Sequence, residues 1–249
     1  MASGLRKSLY IFTAFILIWT PYRFLTGALG WKAFSLSPLQ LLIESVVKLS
    51  VSFGLVYVFL RYYGDSWKDV GLSGRGFWES LVLGSVGSLW LMSFYLAAGG
   101  RIEAELLGAL HLFLVVGPAE ELLSRGYYFS MIVRDFRHRG LAIGALLSSF
   151  LFALSHLPID LFVAKQDISG IALHLISVFL SGIIFCSYYY TGWNLVGPSI
   201  LHASVDFCSA YIHMKSDHFI SIVGMLILAA IPPIWWTIRE KFKVYFRCL

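Results

Sequence analysis

Ionisable side chains stand inside runs of sequence that are otherwise apolar. Glu120, Glu121 and Arg125 share one run, His156 lies in the next and His174 in the one after. His202, Asp206 and His213 lie in a fourth, and Glu44 and Lys48 in an earlier one. Carboxylates and imidazoles move protons in hydrolysis and also ligate metals. Spacing sorts them. Glu121 and Arg125 are i,i+4 on a helix, share a face and can pair. Glu120 is turned about 100° from Glu121 and cannot share that arginine equally, so the simplest division leaves its carboxylate free to take a proton from water. His202 and Asp206 are also i,i+4, and Asp206 could accept from one ring nitrogen and fix the tautomer of His202. His156, one turn after Phe152, gains meaning only if it meets the others in space. One carboxylate, two imidazoles and a second carboxylate on three helices form either a hydrolytic constellation or a metal site.

The elements that must hold these groups follow from composition. The chain has 249 residues, 58% hydrophobic and 13% charged, with mean hydropathy +0.77. A soluble domain carries about 25% charged residues; half of that excludes a soluble enzyme, a disordered chain and a nucleic-acid module. A span needs about 20 apolar residues, and eight candidates are found at about 8–29, 39–60, 77–99, 106–133, 141–158, 171–190, 198–214 and 219–238. The expected fold is all-α: a polytopic transmembrane bundle in one domain over 1–249, with a motif-bearing core at 106–214. Alternating polarity, the mark of a barrel, is absent. With both termini in the cytoplasm, the inner segments hold Arg6, Lys7, Arg61, Lys68, Arg75, Arg134, Arg137, Arg139, Arg239, Lys241, Lys243 and Arg247. The outer ones hold Arg23, Lys32, Arg101, Lys165 and Lys215. This twelve-to-five split follows the positive-inside rule and accounts for the net charge of +5 without nucleic acid as a partner. Cys186, Cys208 and Cys248 offer neither a disulfide framework nor metal spacing.

Three motifs in order carry a resemblance: E-E-x-x-x-R at Glu120–Arg125, F-x-x-x-H at Phe152–His156, and H-x-x-x-D at His202–Asp206. Together, on separate spans, they resemble the CAAX-protease and bacteriocin-processing family of intramembrane endopeptidases, whose best-known members are similar to the type II CAAX prenyl endopeptidase. The resemblance implies that Glu120, with His156, activates the attacking water. It implies that His202, with residue 206, stabilises the oxyanion, and that Glu121 and Arg125 hold their helix in place. The substrate it implies is a peptide or a prenylated protein at a lipid membrane, the cell membrane if the source is prokaryotic. Prenyl-endopeptidase members carry Asn where this chain has Asp206. An ionised Asp cannot donate to an oxyanion, so Asp206 is protonated, orients His202 or binds a cation.

The expectation on cofactors is none; the alternative is zinc held by Glu120, His156 and His202, although the H-E-x-x-H signature is missing. The alternative to an enzyme is a membrane scaffold or bacteriocin-immunity protein of the same fold. Depth sets a condition on the site. At 1.5 Å per residue, Glu120 lies about 21 Å from Arg134, His156 about 22 Å into its span and His202 only about 6 Å into its own. Either the fourth and fifth helices protrude, or the uncharged 191–197 connection dips inward. Elsewhere, Glu44 and Lys48 read as an i,i+4 pair, Tyr188–Tyr190 and Trp235–Trp236 as aromatic belts, and Asp160 as a solvated loop residue. His111, His174 and His213 read as bundle or interfacial histidines. The 61–76 stretch reads as a loop or as an interfacial segment with Trp67, Val70 and Leu72 among the headgroups.

Overall fold

A computed structural model describes residues 3–32, 36–136, 139–213, 224 and 226–235. Among them are eight helices: α1 (Ser3–Ala28), α2 (Pro38–Tyr63), α3 (Phe77–Ala97), α4 (Leu106–Asp135), α5 (Gly140–Ala164), α6 (Ile168–Gly192), α7 (Val196–Tyr211) and α8 (Leu226–Trp235). The first six are long and apolar enough to cross a membrane. The chain is an all-α, multi-pass integral membrane protein. At 16 residues, α7 is about 24 Å long, short of the roughly 30 Å hydrocarbon core. Parts of the expected eighth span (219–223, 225 and 236–238) lie outside the described residues. So do Arg137, Lys215, Trp236, Cys248 and the basic residues from Arg239 onward. Arg101–Ile102 pairs antiparallel with Ile212–His213 and ties the start of α4 to the end of α7.

Burial is inverted relative to a water-soluble protein. Leu17, Leu89, Leu114 and Leu173 face outward, whereas Arg23, Glu44, Lys48, Glu121 and Arg125 are buried. Apolar side chains lose nothing by facing acyl chains, and charges there cost about 2.5–3.5 kcal/mol each on insertion scales. Local signals mark the helix ends. Ser37 and Gln40 form a reciprocal cap before Pro38 at the start of α2, and Gly64 closes that helix in the left-handed region. Asp167 accepts from the Gly170 N–H at the start of α6.

Two helices are irregular where the site lies. In α4, π-helical turns at Leu112–Val116 and Leu122–Phe129 flank an α-helical turn, Gly117–Glu121. In α5, Asp160–Ala164 is π-helical. Pro118 and Pro158 sit beside these widenings; a proline has no N–H for the i−4 carbonyl and its ring crowds that carbonyl, which a wider turn relieves. Close approach of neighbouring helices needs glycine at several positions, two of them beside the site. A Cβ on Gly117 would lie 2.5 Å from the Ser199 carbonyl of α7, and one on Gly182 of α6 would lie 2.8 Å from Ser149 Cβ of α5. Small residues at such crossings let backbones pack where lipid supplies no hydrophobic drive.

The connection from α6 to α7 lies inside the protein. Asn194 and Leu195 are buried, and Asn194 Nδ2 donates to the Ser73 carbonyl at 2.7 Å while its own carbonyl accepts from Ser80 Oγ at 3.1 Å. Some expectations are corrected. Tyr188 and Tyr189 are fully buried rather than in a belt: Tyr188 donates to the Leu228 carbonyl, and the Tyr189 hydroxyl bonds Ser130. Val70, on the short 3-10 turn Trp67–Val70, is buried in the protein core, while Leu72 stays exposed.

Candidate functional site

Glu120, on the α-helical turn of α4, meets groups from three other helices. Its Oε1 lies 2.5 Å from Lys48 Nζ of α2. Its Oε2 lies 3.6 Å from His156 Nε2 of α5 and 3.6 Å from His202 Nε2 of α7. Asp206 Oδ2 is 3.6 Å from the same His202 nitrogen. The four expected site residues therefore converge. Glu120, His156 and Asp206 are partly accessible, and they line, with His202, a cavity of about 420 Å³ whose other walls include Val116, Val178 and Phe185.

The hydrogen bonds fix which nitrogens carry protons. His156 Nδ1 is 3.0 Å from the Phe152 carbonyl. A carbonyl only accepts, so Nδ1 holds a hydrogen, and Nε2 is the nitrogen turned towards Glu120. The phenylalanine of the F-x-x-x-H motif also supplies its ring: it packs edge-on against His156 and His202 and lies 4.4 Å under the Arg125 guanidinium. His202 Nδ1 is 2.7 Å from Glu121 Oε1. The Glu121 carboxylate, paired with Arg125, accepts that N–H, and the ring stacks on Phe185 with centroids 5.1 Å apart.

Three expectations change here. Glu120 is not free: Lys48 supplies its counter-charge. Lys48 is correspondingly not the partner of Glu44, which is held instead by Arg23 Nη2 at 2.5 Å and the Tyr22 hydroxyl at 2.6 Å. Sequence spacing sees only pairs on one helix, and these partners come from another. The orienter of His202 is Glu121, not Asp206, because Asp206 lies beyond hydrogen-bond reach and Glu121 holds the other nitrogen. Glu121 and Arg125 do pair, fully buried, as their spacing implies. Arg125 also donates to Ser124 Oγ and the Gly182 carbonyl.

A second cluster adjoins the first. Asp160 is buried rather than solvated, and His174 Nδ1 lies 2.8 Å from its Oδ1. The His174 ring is 5.7 Å from that of His156, and His174 lines the cavity, as do His111 and Lys48. His111 Nδ1 lies 2.8 Å from Ser45 Oγ. The one sequence signal for these roles was the presence of ionisable groups at membrane depth. Among the described residues no group of three or more His, Cys, Asp or Glu is disposed to hold a metal ion, and the ammonium of Lys48 already sits against the carboxylate that would have to be a ligand.

Fold and site define a class: a multi-pass helical membrane protein with a cavity among its helices onto which Glu120, His156, His202 and Asp206 converge. Residues 101–208 match the family model described as type II CAAX prenyl endopeptidase Rce1-like. The matched stretch holds all three motifs and none of α1–α3, and over it the resemblance to the CAAX-protease and bacteriocin-processing family is shown. No curated protein and no solved structure matches the chain.

Proposed function

We propose that this protein is an intramembrane endopeptidase that hydrolyses a peptide bond with a water activated by Glu120. The observation that carries this reading is Glu120 Oε2, 3.6 Å from both His156 Nε2 and His202 Nε2. Atoms so separated can each lie about 2.8 Å from one bridging water. The water gives one proton to Glu120 Oε2 and hydrogen-bonds to the lone pair of His156 Nε2 with the other. Its oxygen bonds to the scissile carbonyl carbon, and the carbonyl π pair moves onto oxygen. His202 acts as an imidazolium: Nδ1–H is held by Glu121, and Nε2–H donates to the oxyanion. Asp206 Oδ2 faces that nitrogen at 3.6 Å as a negative neighbour of the imidazolium and needs no proton of its own. When the intermediate collapses, the C–N bond breaks and Glu120 passes its proton to the leaving amine.

The proposed substrate class is a C-terminal prenylated peptide of CAAX form, taken from the family of the matched stretch, with the apolar wall of the cavity as its complement. The proposed chemistry is free of metal, supported by the Lys48–Glu120 contact. The test is cleavage of a quenched-fluorescent prenylated CAAX-type peptide by the full chain in liposomes. Wild type is expected to cleave and to keep its rate after exhaustive chelation. Glu120→Gln is expected to lose at least about 100-fold, the lower end of general-base contributions, while remaining folded. A Glu120→Gln protein at wild-type rate would sink the mechanism. A biological effect that survives this substitution would point to the scaffold reading instead.

A further inference from the structure

We propose that Lys48 is a positioning residue of this site, holding one carboxylate oxygen of Glu120 so that the other is presented to the water. The inference rests on Glu120 being the base. A carboxylate at the end of a glutamate side chain rotates freely unless something grips one oxygen. Lys48 Nζ grips Oε1 at 2.5 Å, and Oε2 is the oxygen that faces His156 and His202. An ammonium is a compact point charge, so it can engage one oxygen and leave the other open.

The N-terminal helices direct Lys48 to that task. Glu44, one turn earlier on α2, would compete for the ammonium. It is occupied instead by the fork of Arg23 from α1, with Nη1 and Nη2 at 3.1 and 2.5 Å, and by the Tyr22 hydroxyl. Trp19, also on α1, places its ring 5.5 Å from Lys48 Nζ, a cation–π contact that adds to the grip on the amine. Arg23, Glu44, Lys48 and Glu120 thus form a line of alternating charge across α1, α2 and α4. The family match begins at residue 101, so it assigns nothing to Arg23, Glu44 or Lys48. The site is incomplete without α1 and α2.

The alternative is that Lys48 only neutralises Glu120 so that both can be buried. Two variants separate the cases, assayed with the full chain in liposomes on the prenylated CAAX-type peptide. Lys48→Met is expected to lower kcat at least tenfold with KM within twofold. Lys48→Arg retains the charge, and its melting temperature should stay within a few degrees of wild type. Its planar fork reaches both carboxylate oxygens, so kcat should still fall at least tenfold. If Lys48→Met does not fold, Lys48→Arg decides alone. Wild-type kcat in Lys48→Arg overturns the inference, as does wild-type kcat in a folded Lys48→Met, with Glu120→Gln inactive in either case. An active Glu120→Gln, or a wild type silent on the peptide, overturns the reading beneath it and the inference with it.

Discussion

His202 Nδ1 lies 2.7 Å from Glu121 Oε1, and Arg125 Nη1 lies 2.8 Å from the same oxygen. The two acidic residues of the E-E-x-x-x-R motif thus have different neighbours: Glu120 faces the cavity, and Glu121 joins the arginine of its own helix to a histidine of α7. Adjacent residues on a helix point about 100° apart, which lets one short turn serve both the chamber and its frame.

Glu121→Gln would leave a fully buried guanidinium without a counter-charge. Breaking a buried pair from one side costs about 3–5 kcal/mol. The expected result is a large fall in the thermal midpoint of the detergent-solubilised protein, together with loss of peptide cleavage. A variant as stable as wild type would refute the buried pair.

The α5–α6 crossing should tolerate no methyl at Gly182. An added Cβ would meet Ser149 Cβ and Oγ at 2.8 Å and Arg125 Nη2 at 3.2 Å. Gly182→Ala is expected to destabilise by about 1–3 kcal/mol through overpacking. Gly54→Ala of α2, where nothing lies within 4 Å, should be neutral or stabilising by up to about 1 kcal/mol, the helix-propensity difference. Equal midpoints for the two variants would contradict this packing.

Asp160 ties the end of α5 to α6 through His174 Nδ1 at 2.8 Å, and to the intervening loop through Gln166 Nε2 at 3.3 Å. Asp160→Ala removes both acceptors. His174 and Gln166 keep access to solvent, so the expected loss is about 0.5–1.5 kcal/mol, the net worth of a hydrogen bond, with faster proteolysis in the 165–167 loop. Unchanged proteolysis would place the restraint elsewhere.

Outside the spans, hydrogen bonds from the Ser66 hydroxyl and N–H, with Arg134 Nη2 at 2.7 Å, hold the Asp69 carboxyl below the usual carboxylate range. A carboxyl depressed in the folded state contributes stability above its unfolded pKa, about 3.9, and loses it as pH falls through the folded value. Asp69→Asn should therefore melt below wild type at pH 7, and the gap should close progressively below about pH 4. A gap independent of pH would assign the effect to packing instead of charge.

The sequence alone reached the class of the fold, since apolar runs of span length have no soluble alternative. It also reached the groups that matter, since ionisable residues at membrane depth need a reason to be there. The i,i+4 rule found Glu121–Arg125 because both lie on one helix. The same rule misassigned Glu44–Lys48 and His202–Asp206, because a partner from another helix wins when its geometry is better. Arg23 offers Glu44 a two-nitrogen fork, and Glu121 offers His202 a carboxylate within hydrogen-bond distance. Tyr188 and Tyr189 read as a belt because aromatic residues near a span end serve equally well in a core.

Residue type and order along the chain therefore determined a multi-pass helical protein, its three motifs and the chemical kinds of side chain available. The tertiary structure decided which of those side chains meet: Lys48 on Glu120, Glu121 on His202, His174 on Asp160. The division has a physical cause. Periodicity records the neighbours of a residue along its own helix, whereas contacts between helices depend on crossings set by glycines, prolines and widened turns tens of residues away.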